Sequence, residues 1–324
     1  MQAIWRIVAT SFFAMLLAAC TAASFKQPIA GFADATKAAS TSVDAYSKTI
    51  DAAAQDEKID EVIAKPSRIE IPHGDCRINS KGCRPMVRIG SVTTPLAPTP
   101  TTPKLKMLVA GLVTYSTNLT AIGNAETQSD LASAINATRA QTVGLAKAID
   151  GLESQRSPHA GKLEPTVTAY ASPIADAVTL GLGLALEQLK LAALREATGR
   201  MDEIFPVATR ICAEYAVSGL NISKDGLFKS FEDANTVVVG PKVTAKQVEA
   251  LQSAAAALDA ALATDPKKVF ADLRKAHSAL TRALNDPQPS LDELWVALQQ
   301  ISDDAVKIEA ISAALDKARK STKT

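Results

Sequence analysis

Apolar residues recurring in alternating steps of three and four constrain this chain more than any other feature. They run Leu105, Leu108, Leu112, Tyr115, Leu119 and Ile122, which places them on one stripe of a helix with 3.6 residues per turn. The pattern returns as Leu291, Leu294, Leu298, Ile301, Ala305 and Ile308, and more weakly as Phe32, Thr36, Ala39, Val43, Tyr46 and Ile50. Each stripe has to be buried against another element. Hydrophobic residues make up 47% of the chain but aromatic ones only 4%, and alanine in quantity suits closely packed helices better than sheets. The expectation is an all-α, antiparallel multi-helix bundle.

Further stripes and the breaks between them extend the reading. Leu131, Ile135, Leu145, Ile149 and Leu152 mark one helix, with Thr138 and Thr142 at stripe positions. A long helix is expected from near Pro173 to Gly199, with Gly181 and Gly183 as points of close approach. Met201 to Val217 forms the next, followed by a loop, a short helix around Leu227 to Phe231 and a brief strand at Val237 to Val239. Two more carry Val248 to Leu262 and Val269 to Leu284, separated by Asp265-Pro266, where Asp caps and Pro is tolerated in the first turn. Ser290 and Glu293 have the spacing of a capping box for the last helix.

Residues 65–103 depart from this pattern. Helix formers give way to Pro, Gly, Ser and β-branched residues, Ile69 and Ile71 alternate with polar neighbours, and so do Val87 and Ile89. Cys76 and Cys83 flank the turn-like Asn79-Ser80-Lys81-Gly82. A small cysteine-containing β-hairpin inserted into the bundle is the natural reading, with Cys76 bonded to Cys83 if the compartment is oxidising. A loop that short contributes about 2–3 kcal/mol in the chain-entropy model. His73 with Cys76, Cys83 and Cys212 matches no zinc spacing, so no metal site is assigned. Residues 91–103 (SVTTPLAPTPTTP) read as an extended Pro/Thr-rich connector.

The first twenty residues carry the most specific signal. Arg6 and the amino terminus form a positive n-region, Ile7 to Leu17 an apolar run too short for a comfortable span, and small residues follow. Leu17-Ala18-Ala19-Cys20 resembles the lipobox of bacterial lipoproteins. The resemblance covers the leader alone and implies diacylation of the Cys20 sulfur and cleavage before Cys20. Thr21 stands where an Asp would retain such a protein at the inner membrane, so an outer-membrane anchor facing the periplasm is expected. Several acyl chains make a near-permanent anchor. The expected organisation is therefore a signal peptide at 1–19, an N-terminal anchor and helix at 20–64, the cysteine loop at 65–90, the connector at 91–103 and the helical bundle at 104–324.

Charge and motifs narrow the function. The chain has 35 basic and 34 acidic residues, and losing Arg6 with the leader leaves a neutral protein, which argues against a nucleic-acid partner. No Gly-rich phosphate loop, His-Glu-x-x-His or Gly-x-Ser-x-Gly occurs, and no cofactor is implied. His73, His159 and His277 read as turn or surface residues. The adjacent carboxylates Asp202-Glu203 and Asp303-Asp304 diverge by about 100° on a helix and read as solvated. Cys212, among Phe205, Ala208, Ile211 and Tyr215, reads as a buried inert thiol. Two functional classes lead an enzyme: a lipid-anchored interaction or assembly protein with an envelope protein partner, and a small-ligand-binding bundle in which Tyr115, Tyr170, Tyr215 and the paired threonines line a pocket. Membrane attachment through Cys20 has a direct check. Cys20→Ala should leave an uncut precursor that no longer incorporates labelled palmitate, and a processed, soluble form of that variant would refute it.

Overall fold

The computed structural model describes residues 22–64, 68–70, 86–89, 91–95, 103–156, 185–239 and 243–322. Among them are a single 3₁₀ turn, Ala22–Phe25, and eight helices: α1 (Lys26–Ala64), α2 (Pro103–Asn124), α3 (Gln128–Arg156), α4 (Leu186–Met201), α5 (Ile204–Val238), α6 (Ala245–Ala263), α7 (Pro266–Asn285) and α8 (Asp292–Thr322). The all-α class is observed. Three short strands, β1 (Arg68–Glu70), β2 (Met86–Ile89) and β3 (Val92–Pro95), pair antiparallel in that order, with Ile69 opposite Val87 and Arg88 opposite Thr93. The first residues of the Pro/Thr-rich stretch form β3, where Val92, Thr93 and Thr94 supply β-branched side chains, and residues 96–102 of the expected connector lie outside the described residues. Cys20, Cys76, Cys83, His73, His159, Tyr170, Gly181 and Gly183 lie outside the described residues.

The chain divides into two units, one holding residues 1–41, 107–213 and 267–305, the other 42–106, 214–266 and 306–324. The core of the first is built from the expected stripes. Leu108, Leu112, Tyr115, Leu119 and Ile122 of α2 are fully buried, as are Phe32 of α1, Phe205 of α5, Leu280 of α7 and Ile301 of α8. Burying each such large side chain contributes about 1.5–3 kcal/mol. Residues Leu105–Asn124 are long and apolar enough to cross a membrane, but their buried stripe belongs to these cores. Buried threonines interrupt the stripes at little cost, because each hydroxyl donates to the carbonyl four residues back: Thr36 to Phe32 at 2.7 Å, Thr138 to Ala134 at 2.8 Å and Thr209 to Phe205 at 2.8 Å. In the second unit, Ser312 of α8 donates to the Ala45 carbonyl of α1 at 3.0 Å, and Ala254, Ala257 and Ala261 form the buried face of α6.

Helix ends differ from the expectation in two places. α5 is continuous to Val238, so the loop after Val217 and the strand at Val237 to Val239 are corrected. The stripe Cys212, Ala216, Leu220 and Leu227, all buried, outweighs the roughly 1 kcal/mol that each interior glycine costs. The Ser290–Glu293 capping box does not form. Ser290 pairs with Asp292, while the Glu293 carboxylate accepts from Arg282 of α7. Reciprocal caps occur instead at Thr127 with Asp130, both bonds 3.1 Å, and at Thr244 with Gln247. Arg195 of α4 donates to the Leu284 carbonyl at 2.6 Å, satisfying the C-terminus of α7.

The close approach of α2 and α3 rests on Gly111. A Cβ there would lie 2.5 Å from Leu145 Cδ2, and Gln141 Nε2 donates to the Gly111 carbonyl at 3.2 Å. At Gly144 of α3 a Cβ would meet nothing within 4 Å. Opposite signs are therefore expected in urea unfolding: Gly111→Val should destabilise by about 1–3 kcal/mol through overpacking, and Gly144→Ala should stabilise by about 0.5–1 kcal/mol.

Candidate functional site

The first unit contains a cleft of about 850 Å³ whose floor is one face of α7. Helical spacing puts Arg274, Ser278, Thr281 and Arg282 on that face, since residues three, four and seven apart stack along one side. The first turns of α8 supply one wall with Asp292, Glu293, Val296, Ala297 and Gln300, and the junction of α4 and α5 supplies the other with Asp202 and Pro206. Asp202 sits in the two-residue break between those helices, its N–H donating to the Gly199 carbonyl at 3.3 Å. Pro206 is tolerated beside the break because the first turn of α5 has no partner for its N–H groups.

Beneath the cleft lies a buried polar contact. His277 Nε2 and the Tyr115 hydroxyl are 3.1 Å apart, and His277 Nδ1 is 3.6 Å from Asp202 Oδ1. The partners select the tautomer. A buried tyrosine hydroxyl needs an acceptor, so it donates to Nε2, and the proton on Nδ1 faces the carboxylate. Phe205 stacks on the imidazole with ring centroids 4.2 Å apart and planes inclined by 12°, and Phe32 packs at 6.1 Å. His277 is 3% exposed in its side chain and Asp202 51%. The histidine is therefore part of the core and the aspartate is the exposed group at the rim of the cleft.

Burial decides the protonation states. It lowers the His277 pKa to about 3, and the imidazole is neutral. Burial first, and then the charge of Asp202, push Tyr115 upward. Partial burial raises Asp202, with the Thr281 hydroxyl at 3.4 Å working in the opposite direction. Burial likewise raises Cys212, a free thiol within the core, as its stripe position implied.

Most of the remaining charges near the cleft are already paired. Lys275 contacts Asp272 Oδ1 at 2.8 Å, Lys268 joins Asp304 at 2.6 Å and Asp272 at 3.5 Å, and Arg282 pairs with Glu293. The hydrogen bond with Asp304 is the largest cause of the raised Lys268 pKa. No group of three or more His, Cys, Asp or Glu side chains able to hold a metal occurs among the described residues.

Several expectations about single residues are corrected here. His277 is a core residue and not a surface one, because Phe32, Tyr115 and Phe205 close around it. Asp304 is buried and paired instead of solvated. Tyr115 is fully buried and meets His277 beneath the cleft. Thr138 and Thr142 border a groove of about 20 Å³, room for little more than one water. The residues that do line the cleft were legible only as spacing on α7. No family model matches this chain, and no curated protein and no solved structure matches it either.

The buried histidine makes stability depend on pH. The unfolded side chain titrates near 6.5 and the folded one near 3, so as pH falls the unfolded state takes up the proton first. The contribution is complete above pH 6.5 and is lost progressively toward pH 3. Asp202, raised in the folded state, changes in the opposite sense. Between pH 6.5 and 4 the His277 contribution should fall by on the order of 3 kcal/mol. His277→Gln, which keeps a polar partner for Tyr115 but does not titrate, should flatten the dependence of the urea midpoint across that interval.

Proposed function

We propose that this protein is a lipid-anchored cell-envelope protein that acts by binding, with the cleft on α7 as its recognition site. The anchor would be Cys20, the location the outer membrane facing the periplasm, and the partner another component of the envelope. A cysteine-clamped hairpin, with Cys76 bonded to Cys83 between β1 and β2, would brace the membrane-proximal part of the chain. The cleft is the observation that supports the reading: its volume falls in the range of ligand sites, and it combines an apolar wall with a few convergent polar groups. The neutral charge of the mature chain favours an uncharged or mixed-charge partner over a polyanion. Val296, 58% exposed in the cleft wall, is the position to test.

A photo-crosslinking amino acid at Val296 should give a discrete adduct in intact cells. The same residue at Val306, also exposed on α8 but outside the cleft, should not. Equal labelling at both positions, or none at Val296, would refute the cleft as the recognition site.

A further inference from the structure

Three charged side chains of the cleft, Asp202, Arg274 and Asp292, have no ion pair among the described residues. Asp202 has no Lys or Arg partner among the described residues, its contacts being Thr281 and the neutral His277. Arg274 has no ion pair among the described residues, whereas its neighbours Lys275 and Arg282 are held by Asp272 and Glu293. Asp292 occupies the first turn of α8, where it receives the Ser290 hydroxyl and the favourable end of the helix dipole.

Asp202 touches α7 at Thr281, and Arg274 stands seven residues earlier on the same helix. At 1.5 Å per residue that separation is about 10.5 Å. An extended chain of three or four residues covers about 10–14 Å. Between the two charges the cleft offers the Ser278 hydroxyl and the Gln300 amide, which can donate to and accept from peptide groups, and the apolar surfaces of Pro206, Val296 and Ala297.

We infer that the cleft binds a free oligopeptide of three or four residues, extended along α7, with its amino terminus at Asp202 and its carboxyl terminus at Arg274. This deepens the binding function proposed above and rests on it. A phosphorylated ligand or an anionic polymer is a poorer match, because two of the three cations in the cleft already carry a carboxylate and Asp202, Asp292 and Glu293 repel further negative charge. A net-neutral ligand with opposite charges at its two ends meets Asp202 and Arg274 at once.

The test is calorimetry on the full chain in detergent with Ala-Leu-Ala and Ala-Leu-Leu-Ala, each also N-acetylated or C-amidated. Free peptides should bind, and blocking either terminus should weaken binding at least tenfold. Asp202→Asn should abolish the penalty for acetylation while keeping that for amidation, and Arg274→Gln should do the reverse. Because each variant retains its response to one terminus, a folding defect cannot imitate the pattern. Blocked peptides binding as tightly as free ones would overturn the inference. Failure of every peptide to bind while the Val296 adduct persists would overturn the peptide alone, and loss of both would overturn the binding function as well.

Discussion

The hydrogen bond between Tyr115 and His277 is the contact on which the first unit depends. It joins α2 to α7 through two groups that cannot both be buried unless each supplies what the other lacks. Leaving either one unpaired in the core would cost about 1–3 kcal/mol. Phe32 from α1 and Phe205 from α5 close the cluster, so four helices meet around one imidazole. A chain with few aromatic residues has placed three of its largest rings together here. Elsewhere alanine, serine and threonine let the helices approach.

This arrangement also shapes the surface above it. Asp202 stands near the edge of the core with its carboxylate 3.4 Å from the Thr281 hydroxyl, where partial desolvation increases what that carboxylate gains from a cationic partner. The floor of the cleft inherits the rigidity of a packed helix, and Lys268, Asp272 and Asp304 secure α7 to α8 near its far end. Under the proposed binding function, support of this kind would reduce the ordering cost of binding.

Much of the architecture could be read from periodicity. The stripes at Leu105 to Ile122, Leu131 to Leu152, Val269 to Leu284 and Leu294 to Ile308 all became helices with those faces buried, because a 3.6-residue repeat is a local property and any compact fold must bury it. Helix ends were harder. The loop expected after Val217 gave way to the burial of Leu220 and Leu227 on a continuous α5, and Glu293 exchanged a capping bond for Arg282, a partner from another helix. A propensity term of about 1 kcal/mol is too little to decide against burying large apolar side chains, whereas a cap of similar size is close in worth to the exposed Arg282–Glu293 pair that replaces it.

The sequence by itself determined the helical class, the burial of Cys212 and the spacing that sets Arg274, Ser278 and Arg282 on one face of α7. Only the tertiary structure decided that His277 is buried and that Asp202 stands at the rim of a cleft. Tyr115 and His277 are 162 residues apart, and nothing local in either segment encodes the other. A lone histidine among alanines carries no signal of its own, since its role depends on which rings close around it. That choice belongs to the packing of four helices, and no single one of them contains it.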